Sequence, residues 1–249
     1  MKLIKTPIIV LLSILSIFLF LSLFLPSSVY GNSQGNEVFP FQNHLGYVVI
    51  VSDLHYPYGG KNVENVFATI IKIKPKYVFI LGDLTEMGNK EEFKSVDKLL
   101  NILKKEKINY EVLLGNHDIR WSYNVLKRKV INGAIYENFR VDLEGITFIG
   151  VDTTLYFQHF GHIGDVQLRW IQEQISEYSE YSEYEKNLRD IIILSHHPFA
   201  GPANYTDDGW KLENIINKHN EKSVFGVIPL VLYGHVHTFG RSGLYNKTW

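Results

Sequence analysis

Short solid runs of apolar, β-branched residues recur along this chain. Between them the apolar positions switch to a spacing of three and four. Tyr47 to Ser52 (YVVIVS), Tyr77 to Leu81 (YVFIL), Tyr110 to Leu114, Ile191 to Leu194 and Val227 to Tyr233 have the strand texture. Val63 to Ile73 carries helical spacing and is stopped by Pro75. Glu91 to Lys105 repeats that spacing with Phe93, Val96, Leu99, Leu100 and Leu103. The β-helix-β-helix-β order, with strands apolar throughout, predicts parallel strands covered on both faces. From Ala134 to Val151 the texture changes. Phe139 to Leu143 alternates, Glu144-Gly145 turns, and Ile146 to Val151 returns, which predicts a hairpin. A helix follows with Val166, Leu168, Trp170, Ile171 and Ile175 as its apolar members, and Asp208 to His219 reads as another. Tyr178 to Lys186 (YSEYSEYEK) is a polar extension, either a solvated helix end or a loop. The expected fold is a layered α/β sandwich whose strands aim their C-terminal ends at one place, where ligands bind in open α/β sheets.

The first thirty-one residues read as an address rather than part of that fold. Lys2 and Lys5 precede an uncharged apolar run from Ile8 to Leu25, and small, turn-forming residues follow to Gly31. This is the layout of a signal peptide. The run is also just long enough for an N-terminal membrane anchor. Either reading puts the rest of the chain outside the cytoplasm, because the two lysines hold the N-terminus inside. Residues 43–249 are expected to form one domain. The formal charge of −1 becomes −3 without Lys2 and Lys5, and no basic block suggests a nucleic-acid tract. There is no cysteine, hence no disulfide, thiolate ligand or cysteine nucleophile. Bulk for the core comes from aromatics, 14% of the chain.

The chemistry sits just past the strand ends. Asp53-Leu54-His55, Gly82-Asp83, Gly115-Asn116-His117-Asp118, Ser195-His196-His197-Pro198 and Gly234-His235-Val236-His237 each follow a strand run. Asp53 and His55 are expected to alternate on one side of their strand end, and His235 and His237 likewise. Asp83 follows a glycine, so its carboxylate can enter a crowded place and offer two oxygens to two metals; alone, Gly-Asp would merely start a turn. Asn116 is a neutral oxygen donor, unless it only caps a helix. His117 is a candidate proton donor, and Asp118 is expected to orient it. Of the adjacent pair, His196 is taken as a ligand and His197 is placed near the substrate. The set is nitrogen and oxygen only, which suits Zn, Fe, Mn or Co rather than Ca. Two such ions lie about 3.5–4 Å apart, acidify a shared water and let the hydroxide attack phosphorus in line.

Together these motifs resemble those of the calcineurin-like metallophosphoesterase superfamily, whose signature is D-x-H, G-D, G-N-H-[DE], H and G-H-x-H in this order. The resemblance runs from about Val48 to His237. It implies a four-layer αββα sandwich with mixed sheets and a dinuclear metal centre. By position it implies that Asp53, His55 and His237 hold the first ion, that Asp83 bridges, and that Asn116, His196 and His235 hold the second. His117 falls on the histidine that assists the leaving group or the transition state, and Asn116 also contacts substrate. The expected activity is metal-dependent phosphoester hydrolysis by a metal-bridging hydroxide, on a small phosphoester. Gly164 to Trp170 is similar to the family's helix after the hairpin.

Departures from the pattern narrow the branch. The protein Ser/Thr phosphatases carry G-D-x-V-D-R-G, where this chain has Gly82-Asp83-Leu84-Thr85-Glu86-Met87-Gly88. Purple acid phosphatases have a metal-binding tyrosine where Glu86 stands. The local form is closer to the bacterial and archaeal phosphodiesterases, including those acting on cyclic nucleotides or glycerophosphodiesters, so a diesterase is favoured. Family members usually run on for another strand or two after the point matching His237. Two competing readings are an exported binding protein that keeps the fold without catalysis, and sulfate or amide hydrolysis on the same scaffold. Specificity is expected in the loops 56–61, 157–162 and 199–208, where Tyr56, Tyr58, Phe157, His159, His162 and Tyr205 could stack on a base or sugar. Asn204-Tyr205-Thr206 and Asn246-Lys247-Thr248 match the glycosylation sequon.

Overall fold

The fold is seen in a computed structural model that describes residues 8–13, 47–120, 130–131, 134–135, 137–180, 189–199, 205–223 and 226–238. In chain order the elements are β1 (Ile8–Ser13), β2 (Tyr47–Ser52), α1 (Gly60–Ile73), β3 (Tyr77–Leu81), α2 (Lys90–Lys105), β4 (Asn109–Leu113), α3 (Asn116–Arg120), β5 (Val130–Ile131), β6 (Ala134–Ile135), β7 (Phe139–Leu143), β8 (Ile146–Val151), α4 (Asp165–Glu180), β9 (Asp190–Ser195), α5 (Gly209–Lys222) and β10 (Leu230–Tyr233).

Two four-stranded sheets carry the structure, in the orders β1-β2-β3-β4 and β10-β9-β8-β7. All pairings in the first sheet are parallel. Mixed pairing is confined to the second, where β7 runs antiparallel to β8 while β8, β9 and β10 are mutually parallel. The alternation of side chains along each strand builds the layers. Val48, Ile50, Phe79 and Leu81 point inward and meet Phe148, Ile192 and Leu194 of the second sheet. Their neighbours Val49, Val51, Val78 and Ile80 point outward, onto Phe67 and Ile70 of α1 and Val96, Leu100 and Leu103 of α2. Across the molecule, Ile149, Val151, Ile191 and Ile193 face Leu168 and Ile171 of α4 and Leu212 and Ile216 of α5. This is the αββα sandwich.

Local signals set the helix ends. Lys74 closes α1 in a left-handed conformation just before Pro75. Asn89 accepts from Glu92 N while the Glu92 side chain accepts from Asn89 N, a reciprocal cap that starts α2 one residue before the predicted Glu91.

Three expectations change. The last strand begins at Leu230 instead of Val227. Pro229 has no N–H to give a ladder, and the N–H groups of Val227 and Ile228 donate to the side chains of Asp190 and Asn220. Val166 is 76% exposed and lies off the buried stripe of α4. Ile8 to Ser13, the start of the apolar leader run, lies in the first sheet parallel to β2. Residues 14–25, the tyrosine-rich extension beyond Glu180, Asn204 and the second sequon lie outside the described residues. No helix among the described residues is long and apolar enough to cross a membrane.

Phe79 anchors the middle of the sandwich, its ring 4.7 Å from that of Phe148, 4.8 Å from Tyr77 and 5.7 Å from Phe139. Phe79→Ala is expected to cost about 3–5 kcal/mol in a urea unfolding titration. A loss below about 1 kcal/mol would contradict this account of the interface between the sheets.

Candidate metal centre

Every motif found in the sequence lies at the C-terminal end of a strand. Asp53 and His55 follow β2, Asp83 follows β3, and Asn116 and His117 open α3 after β4. His196 follows β9, and His235 and His237 follow β10. Past the strand ends the first sheet's hydrogen bonding continues. Asp53 N donates to Gly82 O at 3.0 Å, His55 N to Asp83 O at 2.9 Å and Tyr56 N to Leu84 O at 2.8 Å. These bonds hold the first two motifs side by side.

The predicted strand-like alternation of Asp53 with His55, and of His235 with His237, does not occur. All four, and Asp83, have positive φ, between 43° and 70°. A left-handed backbone at a residue with a Cβ is costly, and such residues gather where surrounding structure forces them for a purpose. The sharp turn they produce brings side chains from different strands to one point. Glycines make the approach possible. A Cβ on Gly115 would lie 2.1 Å from Asp83 Oδ1, and one on Gly234 would lie 1.9 Å from Ser52 Oγ and 2.6 Å from Asp53 Oδ2.

Two pockets result, with one oxygen between them. In the first, His55 Nε2 lies 3.1 Å from His237 Nε2 and 3.8 Å from Asp83 Oδ2, and His237 Nε2 lies 3.4 Å from Asp53 Oδ1. In the second, Asn116 Oδ1 lies 3.1 Å from His196 Nε2 and 2.9 Å from His235 Nδ1, and His196 Nε2 lies 3.3 Å from Asp83 Oδ2. Asp83 therefore turns a single oxygen, Oδ2, to both pockets. Its Oδ1 accepts from His117 N at 2.9 Å, so the expected use of two oxygens for two metals is not what the geometry provides. Asn116 points its side-chain oxygen into the second pocket and is buried, which favours the ligand reading over the capping one.

The donor atoms fit divalent cations. Nitrogen and oxygen atoms converge from several strands at 2.9–3.8 Å, so a cation could take the place of the protons that bridge them. His196 Nδ1 donates to Leu81 O at 2.7 Å, which fixes the proton on that nitrogen and leaves Nε2 to ligate. Among the described residues, Asp53, His55, Asp83 and His237 form one candidate metal-holding group, and His196, His197 and His235 another.

Electrostatics without ions follow the same layout. Burial alone would raise the Asp83 pKa; the charge of His196 and hydrogen bonds from His196 and His117 outweigh it and hold the carboxyl well below its usual range. Burial pulls His196 down, but Asp83 and Asp53 prevail and raise it to about 9. Asp53 is also lowered: burial opposes this, and the His237 hydrogen bond and the His196 charge prevail.

Two role assignments are corrected. Asp118 does not orient the His117 ring. It is fully buried, and its carboxylate accepts from Leu84 N, Thr85 N, Thr85 Oγ1 and Gly115 N at 2.8–3.2 Å. It knits the second motif to the third, a structural strut with no free oxygen aimed at the imidazole. Burial and the nearby Asp83 charge push its pKa up to about 7, against the pull of the Gly115 and Thr85 donors. His117 Nδ1 instead donates to Glu86 O at 2.8 Å. His197 does not line the substrate space: it is fully buried, its Nδ1 2.8 Å from Thr153 Oγ1 and its ring 4.6 Å from that of His235. Burial, with the charges of His196 and His235, holds its pKa well below the ordinary histidine value, so it supports the site as a neutral ring.

Of the candidate stacking residues, Tyr58 and Phe157 are 70% and 53% exposed, while Tyr56 packs on the core of the first half. Tyr205 comes within 6.5 Å of the His235 ring, and His162 Nδ1 lies 2.8 Å from Asp207 Oδ1. The sequence alone does not single out Thr85 and Thr153, nor the contact of Glu86 with two histidines. Thr85 and Glu86 follow Asp83 closely, but no residue type marks a hydroxyl or carboxylate as the partner of a distant histidine or aspartate.

Asp118→Asn keeps one acceptor oxygen and turns an NH₂ toward backbone donors. Each orphaned buried donor costs about 1–3 kcal/mol. The variant is expected to lose at least about 2 kcal/mol in denaturant unfolding, while His117→Asn stays within about 1 kcal/mol of the parent. Equal stability of Asp118→Asn and the parent would return Asp118 to a purely chemical role.

Comparison with known proteins bears on the family and the fold. A probable glycerophosphodiester phosphodiesterase of Arcobacter nitrofigilis is 24% identical over 221 residues, covering 80% of this chain and 74% of the relative. A probable cyclic nucleotide phosphodiesterase of Ruthia magnifica is 27% identical over 187 residues, covering 74% and 72%. Among solved structures, a dimetal phosphatase from Danio rerio superposes with a TM-score of 0.56 at 14% identity, covering 76% of this chain and 80% of that one, a likeness of fold. The family model for calcineurin-like phosphoesterases matches residues 46–239, a span that includes every side chain of both pockets, and the chain belongs to that family.

Proposed function

We propose that this phosphoester hydrolase is a phosphodiesterase working with two divalent ions, of Mn, Fe, Zn or Co. The observation that carries the reading is Asp83 Oδ2, placed 3.8 Å from His55 Nε2 and 3.3 Å from His196 Nε2, between two half-cages of ligands. Asp53, His55, Asp83 and His237 hold the first ion, and Asp83, Asn116, His196 and His235 the second. Bound there, such ions would acidify a water as nucleophile and neutralise charge on the phosphoryl oxygens. The protein does the rest. Asn116, with Oδ1 committed to the second pocket, keeps its NH₂ as a donor for a phosphoryl oxygen. His117, its Nδ1–H held by Glu86 O, carries its transferable proton on Nε2 and passes it to the departing alkoxide. The names of the two relatives, both given as probable phosphodiesterases, support diesters over monoesters as substrate.

The complete ligand set speaks against a binding protein without catalysis. Stripping the protein with chelator should abolish hydrolysis of an aryl phosphodiester, and adding Mn²⁺ back should restore it. Asp83→Asn should lower kcat by at least about 100-fold, more than an outer-shell partner costs. Full turnover by the stripped protein would refute the metal mechanism. An aryl monoester cleaved faster than the diester would refute the substrate preference.

We also propose that the enzyme acts outside the cytoplasm. Lys2, Lys5 and the apolar run to Leu25 support this. The pairing of Ile8–Ser13 with β2 is the competing use of the same residues, since a strand in the sheet cannot be cleaved away or lie in a bilayer. Mass measurement of the protein made in its own cells separates the two. A mature chain starting near residue 31, or an intact chain recovered in the membrane fraction, supports export. An intact chain in the cytoplasmic fraction refutes it.

A further inference from the structure

Glu86 touches two histidines of the site at once. Its carboxylate Oε2 lies 2.8 Å from His55 Nδ1 and its Oε1 lies 3.4 Å from His117 Nδ1. Its backbone carbonyl accepts from His117 Nδ1 at 2.8 Å. The two rings stand edge to face, with centroids 4.8 Å apart. The other edge of the His55 ring, Nε2, faces His237 and Asp83 in the first pocket. An imidazole that gives its Nε2 lone pair to a cation must carry its hydrogen on Nδ1. His55 Nδ1 is buried and has no partner in hydrogen-bonding geometry, because the short contact to Glu86 lies off the bond axis. A buried N–H calls for an acceptor. Glu86 Oε2 is an acceptor within reach, 2.8 Å from that nitrogen on a side chain 39% exposed. A cation shared by His55, Glu86 and His117 is a poorer use of the same cluster, since His117 Nδ1 is already spent on the Glu86 carbonyl.

We propose that Glu86 is a positioning residue for the first metal pocket: its carboxylate oxygen holds the His55 Nδ1–H, so that Nε2 is presented to the ion. One residue then fixes two tautomers, that of a ligand through its side chain and that of the proton donor through its carbonyl. The proposal rests on the two-ion reading above.

The test is a calorimetric titration of the full chain, stripped by chelator, with Mn²⁺ alone. The parent should show two binding steps. Glu86→Ala should weaken one of them about 10- to 100-fold and leave the other unchanged, the size of effect known for outer partners of metal-bound histidine. Glu86→Gln keeps an acceptor oxygen and should follow the parent. The metal-free melting temperature of both variants should match the parent's, which separates positioning from a folding defect. A Glu86→Ala titration that superimposes on the parent's would overturn the proposal, as would Glu86→Gln falling as far as Glu86→Ala. A parent that takes up no Mn²⁺ would sink the two-ion reading and this proposal together. A parent that binds and hydrolyses while Glu86→Ala is unaffected would sink the role of Glu86 alone.

Discussion

The site depends on where the Asp83 carboxylate is held. It is almost fully buried, a setting that favours the neutral acid, yet two neighbours keep it ionised. His117 N fixes Oδ1 from one side, and His196 balances Oδ2 from the other. The Gly115 backbone lies so close that no side chain fits between. A carboxylate clamped in this way cannot swing, and from one position its Oδ2 faces both pockets. Asp118 extends the same bracing one layer further by tying the loop after Asp83 to the turn that carries Asn116 and His117.

The backbone bears a cost for this convergence. Asp53, His55, Asp83, His235 and His237 all sit in left-handed conformations. Each such residue costs on the order of 1–3 kcal/mol and persists only where its surroundings over-determine it. The surroundings here are rigid. The strands beneath are covered on both faces by large buried side chains, and backbone hydrogen bonds continue past the strand ends to Asp53, His55 and Asp83 themselves. The sandwich supplies the stiffness that lets five residues stay strained in one small volume.

Much of this was legible in the sequence because it obeys simple periods. The strands, the hairpin and the helices show in apolar spacing, and the side chains that line the two pockets show as acid, amide and imidazole just past strand ends. What escaped did so for local reasons. Alternation along Asp53 to His55 was the natural inference for an extended chain, but the turn begins one residue earlier, after Ser52. The start of the last strand was misplaced because Asn220 and Asp190 take N–H groups that a ladder would have used. Asp118 looked like a partner for the histidine beside it, whereas four donors from two loops had already claimed it. Glu86 shows in the sequence only as a departure from the purple acid phosphatase tyrosine; its place against two imidazole edges appears on folding.

Neither sheet owns a complete pocket. The first pocket takes Asp53, His55 and Asp83 from one sheet and His237 from the other; the second takes Asp83 and Asn116 from one and His196 and His235 from the other. Any cation seated in either place is thus a rivet between the two halves of the sandwich. By mass action, ion supply and mechanical cohesion become a single variable, and scarcity of metal would loosen the seam between the sheets at the same moment that it silences the chemistry.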